Sequence, residues 1–305
     1  MIKRAIKTAF HASGAMAAAR WVNRKRPRIL MYHRFADREA IAQQCAHIRK
    51  YYTPVSLRQV SEWLTAGGGW PDNALAVTVD DGYRDFYQVA YPVFREYGIP
   101  ACTYLVSDFL DGRLWLWVDR VRWAYLHSDS VAGTRDERLR TARTGIEAAK
   151  RMPNQERLAW LEVLPCDLKV QIPEEAPAEY RALRWDEVRE AAANGMEFGA
   201  HTKTHPILSM VEGDRELRDE IAGSKRRIEE ELGRAVDHFC YPNGSLEDFS
   251  AAAVDVVRTA GFRTATTTER GFVTAKADAL RLRRIGVEPG LDERYFAECA
   301  AGVRG

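Results

Sequence analysis

Apolar residues come in two rhythms along this chain. Short strand-like runs at 28–33, 74–79, 101–106, 196–200, 238–241, 263–267 and 282–287 read as strands. Between them lie patterns with helical spacing and legible ends. Ser56 and Gln59 form a capping box for a helix over 57–65, and Gly98 can close the helix that follows Asp85. Gly195 closes 186–194, and Gly261 closes 248–260. This alternation predicts an α/β fold with parallel strands. About seven strand and helix units point to a distorted (β/α)7-type barrel, whose functional groups gather at the C-terminal ends of the strands.

The stretch at about 111–184 breaks the rhythm. It opens on Leu114-Trp115-Leu116-Trp117-Val118, continues as charged helical sequence and ends in a Pro-punctuated run over 165–177. It reads as a mostly helical insertion, either a lid or a simple cover for the barrel. The expected organisation is a basic amphipathic segment over 1–27, then one barrel over 28–305 that carries the insertion.

Composition fits an enzyme-sized soluble chain, with 305 residues, 46% hydrophobic and 29% charged. Five scattered cysteines, an odd number with no close pairs, argue against a disulfide framework and a Cys-ligated zinc site. They favour a reducing compartment. The net charge of +2 hides an asymmetry: nine of the 45 Lys and Arg residues fall in 1–36, which holds no acid, leaving 36 against 43 acidic residues. Ile2, Ile6, Ala9, Phe10, Met16 and Ala17 fall near one helical face, and Lys3, Arg4, Lys7 and His11 on the other, with Arg24-Lys25-Arg26 following. That pattern fits peripheral membrane contact through residues 1–26; a plain solvated helix and a cleaved signal are the rivals. No stretch is long enough to span a bilayer. The rest of the chain lacks the basic surface that nucleic acid requires. The expected location is cytoplasmic, peripheral at the inner membrane, with a secreted or periplasmic protein as the alternative.

The chemistry concentrates in two segments. Asp80-Asp81-Gly82 follows the run at 74–79, where two adjacent acids at a strand end can both turn into one pocket, one free as a base and one on a cation. His201 and His205 follow the run at 196–200, and Gly199 and Pro206 favour a bend there rather than a helix. Asp81, His201 and His205 together offer three N/O ligands and leave room for water and substrate, the pattern of a catalytic divalent-metal site. Zinc is the choice on availability, and cobalt, nickel and iron also suit the set. Such a cation suits amide hydrolysis.

The pair Thr78-Val79-Asp80-Asp81-Gly82 and His201-Thr202-Lys203-Thr204-His205-Pro206 resembles the first two motifs of the polysaccharide deacetylase group, the NodB-like carbohydrate esterase family 4. Leu30-Met31-Tyr32-His33-Arg34 and Phe239-Cys240-Tyr241-Pro242-Asn243-Gly244 are similar to a bacterial surface-polysaccharide branch of it. The resemblance implies Asp80 as general base, Asp81, His201 and His205 as metal ligands, and Thr202 as a group that orients a ligand. It also implies the backbone N–H of Tyr241 as an oxyanion donor. The chain departs from the family twice. No His follows His238, so the late Leu-x-His acid is missing, and His33 is the substitute. No Arg stands before Tyr241 to tether the base, and Arg284 or Arg34 would do that work. Tyr83, Trp115, Trp117 and Trp185 are candidates for stacking on sugar faces, against the plainer role of core aromatics.

The resemblance implies a metal-dependent hydrolase that removes N-acetyl groups from N-acetylated sugars, such as N-acetylglucosamine units, of a bacterial polysaccharide or its lipid-linked precursor. The alternatives are an O-deacetylase or other amide hydrolase on the same metal, or a non-catalytic carbohydrate-binding relative.

Overall fold

The computed structural model describes residues 14–304. Among these residues are eight strands: β1 (Arg28–Tyr32), β2 (Thr53–Pro54), β3 (Ala74–Val79), β4 (Ala101–Leu105), β5 (Glu197–Ala200), β6 (His238–Cys240), β7 (Thr264–Arg270) and β8 (Leu282–Gly286). All pair in parallel. β1 meets β3 on one side and β8 on the other, so seven strands close into a barrel and the two-residue β2 hangs on β3. The ring is irregular. β5 and β6 touch at one register position, Ala200 opposite Phe239, and β7 slips against β8 between Thr266 and Arg270. Every apolar run expected to be a strand is one, and β2 is an addition too short to leave a periodic signal.

Side chains alternate between two layers, as the period of two along a strand requires. Ile29, Ala76, Cys102, Tyr104, Cys240 and Leu282 pack together inside the ring. Their neighbours Leu30, Val77, Phe198, Phe239 and Ile285 join the larger core between barrel and helices. The helix over Leu57–Thr65 begins at the expected capping box of Ser56 and Gln59. The helix after Asp85 starts instead as a wide π turn at Phe86–Ala90 before Tyr91–Glu96, because Pro92 has no N–H with which to continue an α ladder. The expected helix over 248–260 begins later, at Ala251: the Asp248 carboxylate accepts from Ser245 N and Oγ, and Ser250 caps the helix through Ala253 N.

The insertion holds three α-helices, Trp117–His127, Arg135–Ala149 and Asn154–Asp167, and a short 3-10 turn at Ala178–Tyr180. Trp117, Val121, Ile146, Leu161 and Leu164 give it a core of its own, which also takes in Ile207 from the loop after β5. The insertion is thereby packed onto the segment that carries His205.

Ile2, Ile6, Ala9 and Phe10, with Lys3, Arg4, Lys7 and His11, lie outside the described residues. The helix Ala15–Val22 docks Met16 on Ala297 and Ala301 of the helix Glu293–Ala301. Asn23 donates to Ala301 O, Trp70 Nε1 donates to Lys25 O, and Asn73 N donates to Arg24 O just ahead of β3. This basic stretch therefore sits at the N-terminal end of the barrel. Among the described residues no helix is long and apolar enough to cross a membrane.

Gly199 permits β5 to approach its neighbours. A Cβ there would lie 2.6 Å from the Tyr104 ring and 2.7 Å from His238 O. We expect Gly199→Ala to destabilise the fold by about 1–3 kcal/mol, as overpacked cores do, read as a lower midpoint in urea unfolding.

Candidate active site and metal centre

Strand parity aims the base. On β3, Ala74, Ala76 and Thr78 face the barrel interior, and Asp80 continues that inward series one step past the strand end. Its N–H still donates to Tyr32 O at 2.9 Å, which fixes it at the mouth. Asp81 and Gly82 then turn left-handed, at φ 76° and 79°, and swing the second carboxylate across the same opening. His201 follows β5, held by its N–H on Leu105 O, and Thr202 and His205 are also left-handed, at φ 68° and 59°. A β-branched residue in that region is strained, and strain of this kind collects where the chain must aim a functional group. Thr202 Oγ1 accepts from His205 N at 3.0 Å, so it shapes the turn that presents the second imidazole.

The hydrogen bonds fix which nitrogens face the opening. His201 Nδ1 is 2.7 Å from Cys240 O, and a carbonyl only accepts, so Nδ1 carries a proton and Nε2 is left as the outward atom. His205 Nδ1 is enclosed without a partner, and its Nε2 faces Asp81. Ligands about 2.0–2.2 Å from a tetrahedral cation sit about 3.3–3.6 Å apart. Asp81 Oδ1 is 3.4 Å from His201 Nε2 and 3.5 Å from His205 Nε2. All three ligand atoms lie within 4.8 Å of one another, so the donor set fits one divalent cation in both spacing and chemistry.

The charges agree with that arrangement. Burial would raise the Asp81 pKa, but the imidazoles of His201 and His205 more than offset it and hold the carboxyl well below its ordinary range. Burial also opposes charge on His201, yet Cys240 and Asp81 keep its pKa well above the usual value. His205 is pushed down to about 3, by burial first and by neighbouring His201 second.

Asp80 belongs to a different set of contacts. Burial would raise its pKa, but Arg284 lowers it, through bonds of 2.6 Å to Oδ1 and 2.8 Å to Oδ2. The guanidinium also donates to Thr267 O and Thr78 Oγ1. The tether expected of Arg284 or Arg34 is thus made by Arg284. Arg34 instead pairs with Asp85 at 2.7 Å and lies over the Tyr83 ring. Cys240 Sγ is 3.6 Å from Asp80, and Asp80, His201 and Cys240 form a second possible ligand set. The Arg284 guanidinium 3.2 Å from that sulfur opposes a cation there.

His33 stands at the mouth, its side chain 46% exposed and its Nε2 3.7 Å from Asp80 Oδ2. His33, Asp80, Asp81, His201 and His205 all line one cavity of about 600 Å³. Its outer wall is the insertion, through Val118, Arg122, Leu139, Arg143 and Ile146.

Several expected contacts fall elsewhere. The Tyr241 N–H donates to Thr266 O at 3.2 Å in the barrel ladder, so it is not free to bind an oxyanion. The Tyr241 ring obeys the outward parity of β6, stacking on Phe249 with its hydroxyl on Leu280 O. Trp115 stacks against Tyr180 and meets Trp123 edge-on within the insertion, and Trp185 donates to Asp111 beneath Arg227; neither lines the cavity. Trp117 is buried under Arg157 and donates to His205 O at 3.1 Å, so it supports a candidate ligand rather than a sugar. Tyr83 lines the cavity, but its hydroxyl is bonded to Asp119 and its ring is covered by Arg34. Asn243 and Thr268 were not anticipated, whereas the insertion, read in sequence as a lid or a cover, supplies a wall of the cavity. Asn243 had one signal, its place in the Pro242-Asn243-Gly244 turn just after a barrel strand.

Residues 68–265 match the family described as polysaccharide deacetylase. The poly-β-1,6-N-acetyl-D-glucosamine N-deacetylase of Escherichia coli strain K12 is 34% identical over 73 residues, a stretch covering 24% of this chain and only 11% of that protein. Among solved structures, the deacetylase PplD of Streptococcus pyogenes in complex with acetate superposes with a TM-score of 0.62 at 18% identity, over 90% of this chain and 98% of the other. IcaB from Ammonifex degensii gives a TM-score of 0.62 at 20% identity, over 91% and 97%. These two likenesses bear on the barrel fold alone.

Arg284→Met should strand a buried carboxylate and cost about 3–5 kcal/mol. Urea unfolding measures it, and Arg284→Lys, which keeps charge but loses the two-pronged contact, should fall between the two.

Proposed function

The chain belongs to the polysaccharide deacetylase family, and from that premise we propose that it removes N-acetyl groups from N-acetylated sugars, such as N-acetylglucosamine units, of a bacterial polysaccharide or its lipid-linked precursor. The observation that carries this reading is the separation of two adjacent carboxylates into two jobs. Asp81 turns to the imidazoles of His201 and His205, while Asp80 is held apart by Arg284 in the same cavity. Asp81, His201 and His205 would hold one divalent cation, zinc on availability, whose Lewis acidity lowers the pKa of water and polarises a carbonyl.

The protein's own groups account for the proton traffic. Arg284 keeps Asp80 ionised, and each of its oxygens retains a lone pair to take the proton of a water attacking the acetyl carbon. The C–N bond then breaks, and the leaving nitrogen needs a proton. His33 is the group placed to give it, 3.7 Å from Asp80 and open to solvent for reprotonation. Acetate and a free amine leave. The likeness to a poly-β-1,6-N-acetyl-D-glucosamine N-deacetylase supports an N-acetylglucosamine polymer as substrate.

Contact with the cytoplasmic face of the inner membrane belongs to the same reading. Trp21 and Val22 are 64% and 65% exposed beside Arg24, Lys25 and Arg26, a composition suited to an anionic bilayer surface.

Two outcomes are expected. The metal-loaded protein should release acetate from N-acetylglucosamine oligosaccharides, and Asp80→Asn and His33→Gln should each lower kcat by about 10²–10⁴-fold, the usual worth of an acid or base, with the cation content measured by elemental analysis unchanged. No acetate from the loaded wild type, or near-normal turnover in Asp80→Asn, would contradict the reading. For the membrane, the full chain should sediment with anionic phosphatidylglycerol vesicles and not with phosphatidylcholine ones, and Trp21→Ala with Val22→Ser should weaken that binding.

A further inference from the structure

Amide hydrolysis builds negative charge on the carbonyl oxygen, and a site that accelerates it aims donors at that oxygen. The backbone donor expected for this work, the N–H of Tyr241, is committed to Thr266 O. Two residues further on, Asn243 lines the same cavity as Asp80, Asp81, His201 and His205. Its Nδ2 is enclosed and finds no acceptor in the protein. The residue as a whole is half-buried and faces the cavity, so a half-turn of its carboxamide presents that N–H to a ligand able to accept from it.

The loop around Asn243 is held in place. Its backbone is left-handed at φ 57°, Gly244 N donates to Pro242 O at 2.6 Å, and Thr268 N donates to Gly244 O at 2.8 Å. That last bond ties the loop to β7.

We propose that the Asn243 carboxamide donates to the carbonyl oxygen of the substrate's N-acetyl group as it becomes an oxyanion, the part expected of the Tyr241 N–H. The assignment rests on the deacetylase reading. Asn243 enters from the β6 side of the mouth, next to the strand whose Cys240 carbonyl orients His201. It acts on the substrate and does not contact the candidate ligands through any hydrogen bond.

Kinetics of Asn243→Gly and Asn243→Asp on an N-acetylglucosamine oligosaccharide test it. Glycine keeps the left-handed backbone at no strain and removes the whole carboxamide, while aspartate keeps the size and replaces the donor with an acceptor. We expect kcat to fall by about 10²-fold or more in both, the usual worth of one oxyanion donor, with KM within about threefold, cation content unchanged and an unaltered unfolding midpoint. A kcat in Asn243→Gly within about threefold of wild type, or a loss confined to KM, would overturn the assignment while wild-type turnover left the deacetylase reading standing. A loaded wild type that releases no acetate would remove both.

Discussion

A guanidinium buried at the centre of the barrel is the interaction on which the site depends. Arg284 is 1% exposed and grips both oxygens of Asp80, and it is tied to Thr267 O and Thr78 Oγ1. Its pKa is raised, because the pull of Asp80 outweighs the burial that lowers it. An isolated charge in such a place is prohibitive, so the pair forms or neither partner is tolerated. Holding Asp80 this way leaves Asp81 as the carboxylate free to meet the two imidazoles. The pair therefore also sorts the roles of two neighbouring, chemically identical side chains.

Around that pair, the barrel supplies position and the loops supply direction. β3 and β8 deliver Asp80 and Arg284 by inward parity, whereas Asp81, Thr202 and His205 point as they do only because their backbones are left-handed. The insertion completes the arrangement from outside. Trp117 donates to His205 O, Ile207 is packed into the insertion's core, and the helix Arg135–Ala149 walls the cavity. What reads in sequence as an interruption is thus joined to the segment that bears His205, and it bounds the cavity that Asp80 and Asp81 share.

Strands such as β3 and β4 were legible because they are buried on both faces and largely apolar, as strands between barrel interior and helices are. Asp80, Asp81, His201 and His205 were legible because acids and histidines just after such runs have few structural reasons to be there. Arg284 could be named only as one of two options, since its partner lies 204 residues away in sequence. The period of two, applied to β6, would have placed the Tyr241 ring in the outer core. The hydrogen bond that occupies its N–H comes from the closure of β6 on β7, which no local pattern encodes. Trp115, Trp117 and Trp185 show a similar limit: large aromatics near a motif in sequence were taken up by packing and by hydrogen bonds of their indole N–H groups.

The central claim is that Asp81, His201 and His205 share one cation from which Asp80 and Cys240 are excluded. A crystal of the zinc-loaded protein, with anomalous diffraction recorded at the zinc edge, addresses it most directly. The account predicts a single strong peak among Asp81 Oδ1, His201 Nε2 and His205 Nε2, with the Asp80–Arg284 pair intact. A peak on the Asp80 and Cys240 side of His201, or none at the site, would contradict it.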